Sequence, residues 1–130
     1  MDPAIEPRAI VAGHGPLPAG LVAAVEQITG RGNALIAFSN AGLGREEIEN
    51  GLRDLITLHG VSVVFTDLPG GSATLAARRV LRDTPSLTIV TGANLAALID
   101  FVFTDPVVPA PDSAARAAEK GRAAIASFAG

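Results

Sequence analysis

The feature that most constrains the fold is the alternation of short apolar runs with longer helical patterns along the chain. Four runs fit buried strands, at residues 9–13, 34–38, 61–66 and 86–92. Helical patterns follow them at residues 21–28, 45–60, 71–83, 94–103 and 113–128. This alternation predicts βαβ units, and therefore a three-layer α/β sandwich with helices on both faces of a mostly parallel sheet of about four strands. We expect the flavodoxin-like strand order 2-1-3-4, because right-handed crossovers leave few other topologies.

The composition excludes several classes of function. The chain has 130 residues, of which 48% are hydrophobic and 18% are charged, and this fits one compact domain over residues 1–130. A net charge of −3, with neither Trp nor Tyr, argues against a nucleic-acid partner. The start "MDPAIEPR" is unlike a signal peptide, and no apolar run approaches the ~20 residues that span a bilayer. We therefore expect a cytoplasmic protein without direct membrane insertion.

The predicted strand order directs attention to the ends of strands 1 and 3. In an open parallel sheet, ligands bind beyond the carboxyl ends of the strands, where the strand order reverses. Order 2-1-3-4 puts that point between strand 1, which ends at Gly13-His14, and strand 3, which ends at Thr66-Asp67. Because neighbouring strands lie about 4.8 Å apart, we expect His14 and Asp67 to meet at the mouth of one crevice.

A histidine beside a carboxylate can serve as a nucleophile. If Asp67 accepts a hydrogen bond from one ring nitrogen of His14, the tautomer is fixed and the other nitrogen keeps its lone pair. The carboxylate also stabilises the positive charge that the ring gains when that nitrogen is modified. The same residues fit a simple alternative, in which His14 is a loop residue at a strand end.

The segment "TDLPGGSAT" (66–74) suggests an anion site. Asp67 is followed by a Pro-Gly-Gly turn and then by Ser72, near the first turn of a predicted helix. The free N–H groups and the dipole of that helix favour an anion, and the Ser72 hydroxyl can add a donor. An ordinary helix N-cap at Gly71 or Ser72 explains the same residues, and both interpretations can hold at once.

Other catalytic and cofactor motifs do not fit the sequence. "GHGPLPAG" departs from the dinucleotide fingerprint, and no phosphate-binding loop with Gly-Lys-Ser/Thr is present. Two histidines and no cysteine argue against a zinc site or thiolate chemistry. Ser72 lacks the context of a nucleophile elbow, and the absence of Trp and Tyr argues against a flavin site. His59 stands at the end of a predicted helix, and we assign it no catalytic role.

Three segments occur in order along the chain: "GHGPLPAGL", "FTDLPGGSAT" and "IVTGANLAALIDFV". Together they resemble the motifs of the IIA component of the mannose family of the bacterial phosphoenolpyruvate-dependent sugar phosphotransferase system. The resemblance extends over roughly residues 8–128, including the spacing between the segments. It implies a phosphotransferase that carries phosphate on a histidine and uses no cofactor beyond that transient phosphohistidine.

The resemblance also implies roles and partners. His14 would accept a phosphoryl group from the general carrier protein HPr and pass it to a IIB component, with membrane IIC and IID components as indirect partners. Asp67 would be the hydrogen-bonded partner of His14, and Gly70, Gly71 and Ser72 would contact the phosphate. The alternative function is a regulatory module of the same fold, which reads phosphorylation state or binds a partner without passing phosphate onward.

The assembly expected from the sequence differs from that of the family. The resemblance implies a dimer that exchanges an antiparallel strand after the last helix, but little sequence follows the last predicted helix here. The segment "DFVFTDPVVPAPD" (100–112) carries more apolar residues than a connector needs. We therefore expect a homodimer whose contacts come from this connector and from the fourth helix.

Overall fold

A parallel four-stranded sheet forms the centre of the computed structural model, which describes residues 6–130. Its strands are β1 (Ala9–Gly13), β2 (Leu35–Ser39), β3 (Val63–Thr66) and β4 (Thr88–Val90). They are ordered β2-β1-β3-β4, and all three neighbouring pairs are parallel. The predicted order is confirmed, and it reverses between β1 and β3. Residues 1–5, which supplied most of the signal-peptide argument, lie outside the described residues.

Five helices cover the two faces of the sheet: α1 (Leu17–Thr29), α2 (Arg45–His59), α3 (Ser72–Asp83), α4 (Leu95–Phe103) and α5 (Ala110–Ala123). Alternate residues of β1 point to opposite faces, so Val11 joins one core and Ile10 the other. The first core gathers residues of α1, α4 and α5, and the second gathers residues of α2 and α3. The expected three-layer sandwich is therefore confirmed. Across residues 6–130, no helix combines the length and apolar character needed to cross a bilayer.

The bounds of several elements differ from the sequence-based expectation. Helix α1 begins at Leu17 and not at 21, because Pro18 falls in the first turn, where its missing N–H is not needed. Helix α5 also begins earlier than predicted, at Ala110 within the proline-rich connector and not at residue 113. It ends at Ala123, five residues before the predicted end at 128. Strand β4 spans only three residues. It is followed by Gly92 at φ +69°, a conformation outside the extended region.

The apolar connector is partly buried. Phe101 and Val102, which were expected to add exposed surface, lie in the core as part of α4. Phe103 and Val107 remain 56% and 83% exposed, and the Arg31 guanidinium lies 5.0 Å from the centre of the Phe103 ring. The exposed apolar surface in this region is therefore smaller than the sequence suggested.

Candidate functional site

The structure brings His14 and Asp67 into direct contact at the carboxyl edge of the sheet. His14 follows β1 and Asp67 follows β3, and these two strands are neighbours. Nδ1 of His14 lies 2.7 Å from Oδ2 of Asp67. The backbone N–H of His14 donates to the same oxygen at 2.9 Å. The carboxylate thus holds both the ring and the backbone of the residue that directly follows strand β1.

This contact sets the chemistry of the imidazole. An ionised carboxylate only accepts hydrogen bonds, so Nδ1 of the neutral ring carries the hydrogen and Nε2 keeps its lone pair. The His14 side chain is 55% exposed, whereas that of Asp67 is 9% exposed. The site therefore presents an accessible ring whose orientation is fixed by a buried carboxylate.

Asp67 is ionised at neutral pH. Burial by itself raises the pKa of this carboxyl. The hydrogen bonds that Asp67 accepts from the ring and the backbone of His14 together outweigh burial, with a smaller Coulombic contribution from His14, so the pKa of Asp67 lies below its ordinary value. The other carboxylate oxygen, Oδ1, is buried and has no hydrogen-bond partner within residues 6–130.

Two glycines allow the close approach of these groups. A Cβ at position 13 would lie 2.7 Å from both Cγ and Oδ2 of Asp67. A Cβ at position 71 would lie 3.3 Å from Cε1 of His14, so the ring packs against the backbone of Gly71. By contrast, a Cβ at Gly70 would meet nothing within 4 Å. The Gly-Gly turn therefore brings one of its two glycines against the ring.

The loop that carries Asp67 is held by buried hydroxyl groups. Thr66 and Thr74 are both fully buried, and their hydroxyl oxygens are 2.6 Å apart. The Thr74 hydroxyl also bonds to the carbonyl of Leu68. These contacts join the end of β3 to the first turn of α3, so they hold the two ends of the intervening loop together.

The start of α3 faces the same edge of the sheet. Gly71 is its N-cap and Ser72 its first residue, in line with the capping interpretation of the sequence. The first N–H groups of a helix have no intrahelical acceptor, so they are available to an anion. The exposed Ser72 accepts a hydrogen bond on Oγ from Nδ2 of Asn40, at 2.8 Å.

Asn40 is the site residue that sequence reasoning missed. It follows β2, the other neighbour of β1, and its backbone N–H donates to the carbonyl of Gly13 at 2.9 Å. Its position directly after a strand of the same edge was the available signal. Asn40 and Ser72 also line a groove of about 350 Å³ beside the site, together with Leu43, Arg45, Ile48, Leu75 and Arg79.

His59 lies away from the site, and an asparagine of the third resembling segment serves the fold. His59 is the exposed last residue of α2, at the opposite edge of the sheet from His14. Asn94, from the third segment, accepts a hydrogen bond from Ala97 at the start of α4 and donates one to the carbonyl of Gly121 in α5. Asn94 therefore ties two helices together. No cluster of three or more His, Cys, Asp or Glu side chains suited to a metal occurs between residues 6 and 130.

Comparisons with known proteins place the chain in a family and show which solved structures share its fold. The sequence profile of the family described as "PTS system fructose IIA component" (EIIA-man) matches residues 8–118. A comparison with curated proteins gave no significant match.

Solved structures share the fold over nearly the whole chain. The mannose/sorbose-specific IIA subunit of the phosphotransferase system from Enterococcus faecalis has a TM-score of 0.82 and 26% identity, over 95% of this chain and 96% of that one. Component EIIA from Streptococcus agalactiae has a TM-score of 0.80 and 22% identity, over 93% and 96%. The PTS IIA protein associated with the fucose utilization operon of Streptococcus pneumoniae has a TM-score of 0.77 and 20% identity, over 94% and 93%. The last two likenesses concern the fold alone.

The family match covers most of the chain, and it includes both loops that form the His14–Asp67 pair. The chain belongs to the EIIA-man family, the PTS fructose/mannose IIA components, and this membership supports a role in the sugar phosphotransferase system.

Proposed function

We propose that this protein is a phosphohistidine carrier, which accepts a phosphoryl group on Nε2 of His14 from HPr and passes it to a IIB component. The observation that carries the proposal is the 2.7 Å contact between Nδ1 of His14 and the buried Asp67 carboxylate, on a ring that is 55% exposed. The contact fixes the tautomer that a nucleophilic Nε2 requires.

The proposed step exchanges one N–P bond for another. The lone pair of Nε2 attacks phosphorus, the bond to the histidine nitrogen of HPr breaks, and that nitrogen keeps the electron pair. The proton on Nδ1 of His14 stays in place. Because both ring nitrogens are then substituted, the ring carries a positive charge, which the Asp67 carboxylate at 2.7 Å balances. Transfer to a histidine of IIB reverses these roles.

The negative charge of the phosphoryl group would be received at the start of α3. We assign the contacts to Gly70, Gly71 and Ser72, through backbone N–H groups and the serine hydroxyl. The support is positional: a Cβ at Gly71 would lie only 3.3 Å from the His14 ring, and Ser72 opens the helix. Gly70 contributes through its backbone alone.

In this proposal the protein works in the cytoplasm as a single domain, without a cofactor, and reaches the membrane components IIC and IID only through IIB. Exposed apolar side chains near the site suit contact with protein partners. Leu17 and Leu68 are close in sequence to His14 and Asp67, and Leu75 borders the groove beside Ser72. The homodimer expected from the sequence remains part of the proposal.

The test is phosphorylation by phosphoenolpyruvate, enzyme I and HPr. The protein should gain one acid-labile, base-stable phosphate. His14→Ala should abolish the labelling, and His59→Ala, the matched control at the opposite edge, should keep it. Full labelling of His14→Ala would refute the assignment of the acceptor. A wild-type protein that takes phosphate from HPr but never passes it to a IIB component would support the regulatory alternative.

A further inference from the structure

The backbone of Asn40 is held on both sides. Its N–H donates to the carbonyl of Gly13 at 2.9 Å, and its carbonyl accepts from the N–H of Leu43 at 3.0 Å. The side chain leaves this fixed backbone and bonds to Ser72, 32 residues further along the chain. Asn40 therefore links the ends of β1 and β2 to the start of α3.

The direction of the Asn40–Ser72 hydrogen bond has a chemical consequence. Nδ2 of an amide can only donate, so Oγ of Ser72 is the acceptor in this 2.8 Å contact. A serine hydroxyl has a single hydrogen, and here that hydrogen is not used by Asn40. It remains available for another acceptor at the mouth of the site.

We propose that Asn40 is a positioning residue for phosphoryl transfer, which turns the hydroxyl hydrogen of Ser72 toward the phosphoryl group on His14. This inference rests on the proposed function of His14. Because Ser72 is exposed, its hydroxyl would otherwise rotate and bond to water. The hydrogen bond from Asn40 fixes the orientation of the Ser72 hydroxyl before the phosphoryl group arrives. Donors that are oriented in advance stabilise the transition state most strongly where negative charge develops.

A carboxylate in place of the amide reverses the arrangement. Asn40→Asp keeps the size of the side chain but can only accept, so it draws the Ser72 hydrogen away from the phosphoryl group. Asn40→Ala removes the partner and leaves the hydroxyl free to rotate. We therefore expect N40D to be more harmful than N40A, whereas a role limited to filling space predicts the opposite order.

The experiment measures the rate of phosphoryl transfer from phospho-HPr for N40A and N40D, each made in the wild-type and the Ser72→Ala background. Loss of one hydrogen bond should make N40A about 3- to 10-fold slower. Loss of a donor to the developing charge should make N40D about 10²-fold slower. In the Ser72→Ala background, N40A should add nothing, and N40D should keep only the part caused by charge repulsion. Asn50→Asp, at an exposed position of α2, controls for the added negative charge.

A second donor separates this inference from the proposed function. Phosphoramidate is a small reagent that phosphorylates histidine without a protein partner, and the ³¹P chemical shift and hydrolysis rate of the product report on contacts of the phosphoryl group. Both should change in N40D and stay near the wild-type values in N50D. Thermal unfolding checks that each variant folds.

The outcomes are distinct. Equal rates and equal ³¹P shifts for N40A and N40D, or an N40D effect of the same size without Ser72, would overturn the inference. Alternatively, phosphoramidate phosphorylates the protein, with the expected changes of ³¹P shift and hydrolysis rate in N40D, but the protein accepts no phosphate from HPr. That outcome would overturn the proposed function and leave the positioning role supported. A wild-type His14 that neither donor phosphorylates would overturn both.

Discussion

Replacing Gly13 with alanine should separate His14 from Asp67 while leaving both residues in the chain. The added Cβ would lie 2.7 Å from Cγ and Oδ2 of Asp67 and 3.1 Å from its Cβ. Non-bonded carbon atoms prefer about 3.5–4.0 Å, so the carboxylate must move by roughly 1 Å. The two hydrogen bonds to His14, at 2.7 and 2.9 Å, would then stretch beyond hydrogen-bond range.

The size of the effect follows from this geometry. Forcing an extra methyl group into a packed contact costs about 1–3 kcal/mol of unfolding free energy. For a chain of this length, such a cost lowers the melting temperature by about 3–12 °C. Loss of the pair should also slow phosphoryl acceptance by about 10²-fold, since the tautomer and charge of His14 are no longer controlled.

The assay compares Gly13→Ala with Gly20→Ala, measuring both melting temperature and the rate of phosphorylation by phospho-HPr. Gly20 lies within α1, and a Cβ there meets nothing within 4 Å. That control should be slightly more stable than the wild type, by about 0.5–1 kcal/mol, and should accept phosphate normally. If Gly13→Ala keeps wild-type kinetics and an unchanged pKa for Asp67, the reasoning from this close contact is refuted.

Asp67→Asn should slow phosphoryl acceptance by about 10²-fold without unfolding the protein, and unchanged kinetics would make Asp67 a mere turn residue. Because the pKa of Asp67 is lowered in the folded state, its ionised form stabilises the protein above about pH 4, and that stabilisation is lost as the pH falls further. Denaturant unfolding should therefore show the difference in unfolding free energy between wild type and D67N shrinking as the pH falls below about 4, and a constant difference over that range would contradict this. Sedimentation equilibrium at micromolar concentration should show a homodimer, weakened by Val107→Asp at an exposed apolar position of the connector, and a monomeric wild type would defeat the prediction.

The architecture could be predicted because parallel strands buried on both faces are apolar throughout. Every residue of β1 is buried, and its sequence "AIVAG" shows this directly. Once the strand order was inferred, the proximity of His14 and Asp67 followed, because both residues stand at carboxyl ends of adjacent strands. Helix starts were less predictable, since Pro18 interrupts the helical pattern of the sequence but is tolerated within the first turn of α1.

Asn40 could not be predicted to contact Ser72. An asparagine between a strand and a glycine-rich loop is typical of an ordinary turn, and its backbone bond to Leu43 fits that expectation. The side-chain contact depends on the relative placement of the end of β2 and the start of α3, which α2 and β3 separate along the chain. No local pattern encodes that distance.

The two hydrogen bonds of Asn94 bear on how relatives of this chain should be sorted. Its side-chain amide caps α4 and bonds to the end of α5. The third segment, "IVTGANLAALIDFV", therefore indicates that α4 and α5 are packed together. The other two segments supply His14, Asp67 and Ser72. A homologue that keeps only the asparagine segment is expected to retain the architecture without the proposed acceptor. Surveys of genomes for active phosphocarriers should therefore weigh the first two segments and treat the third as a marker of the scaffold.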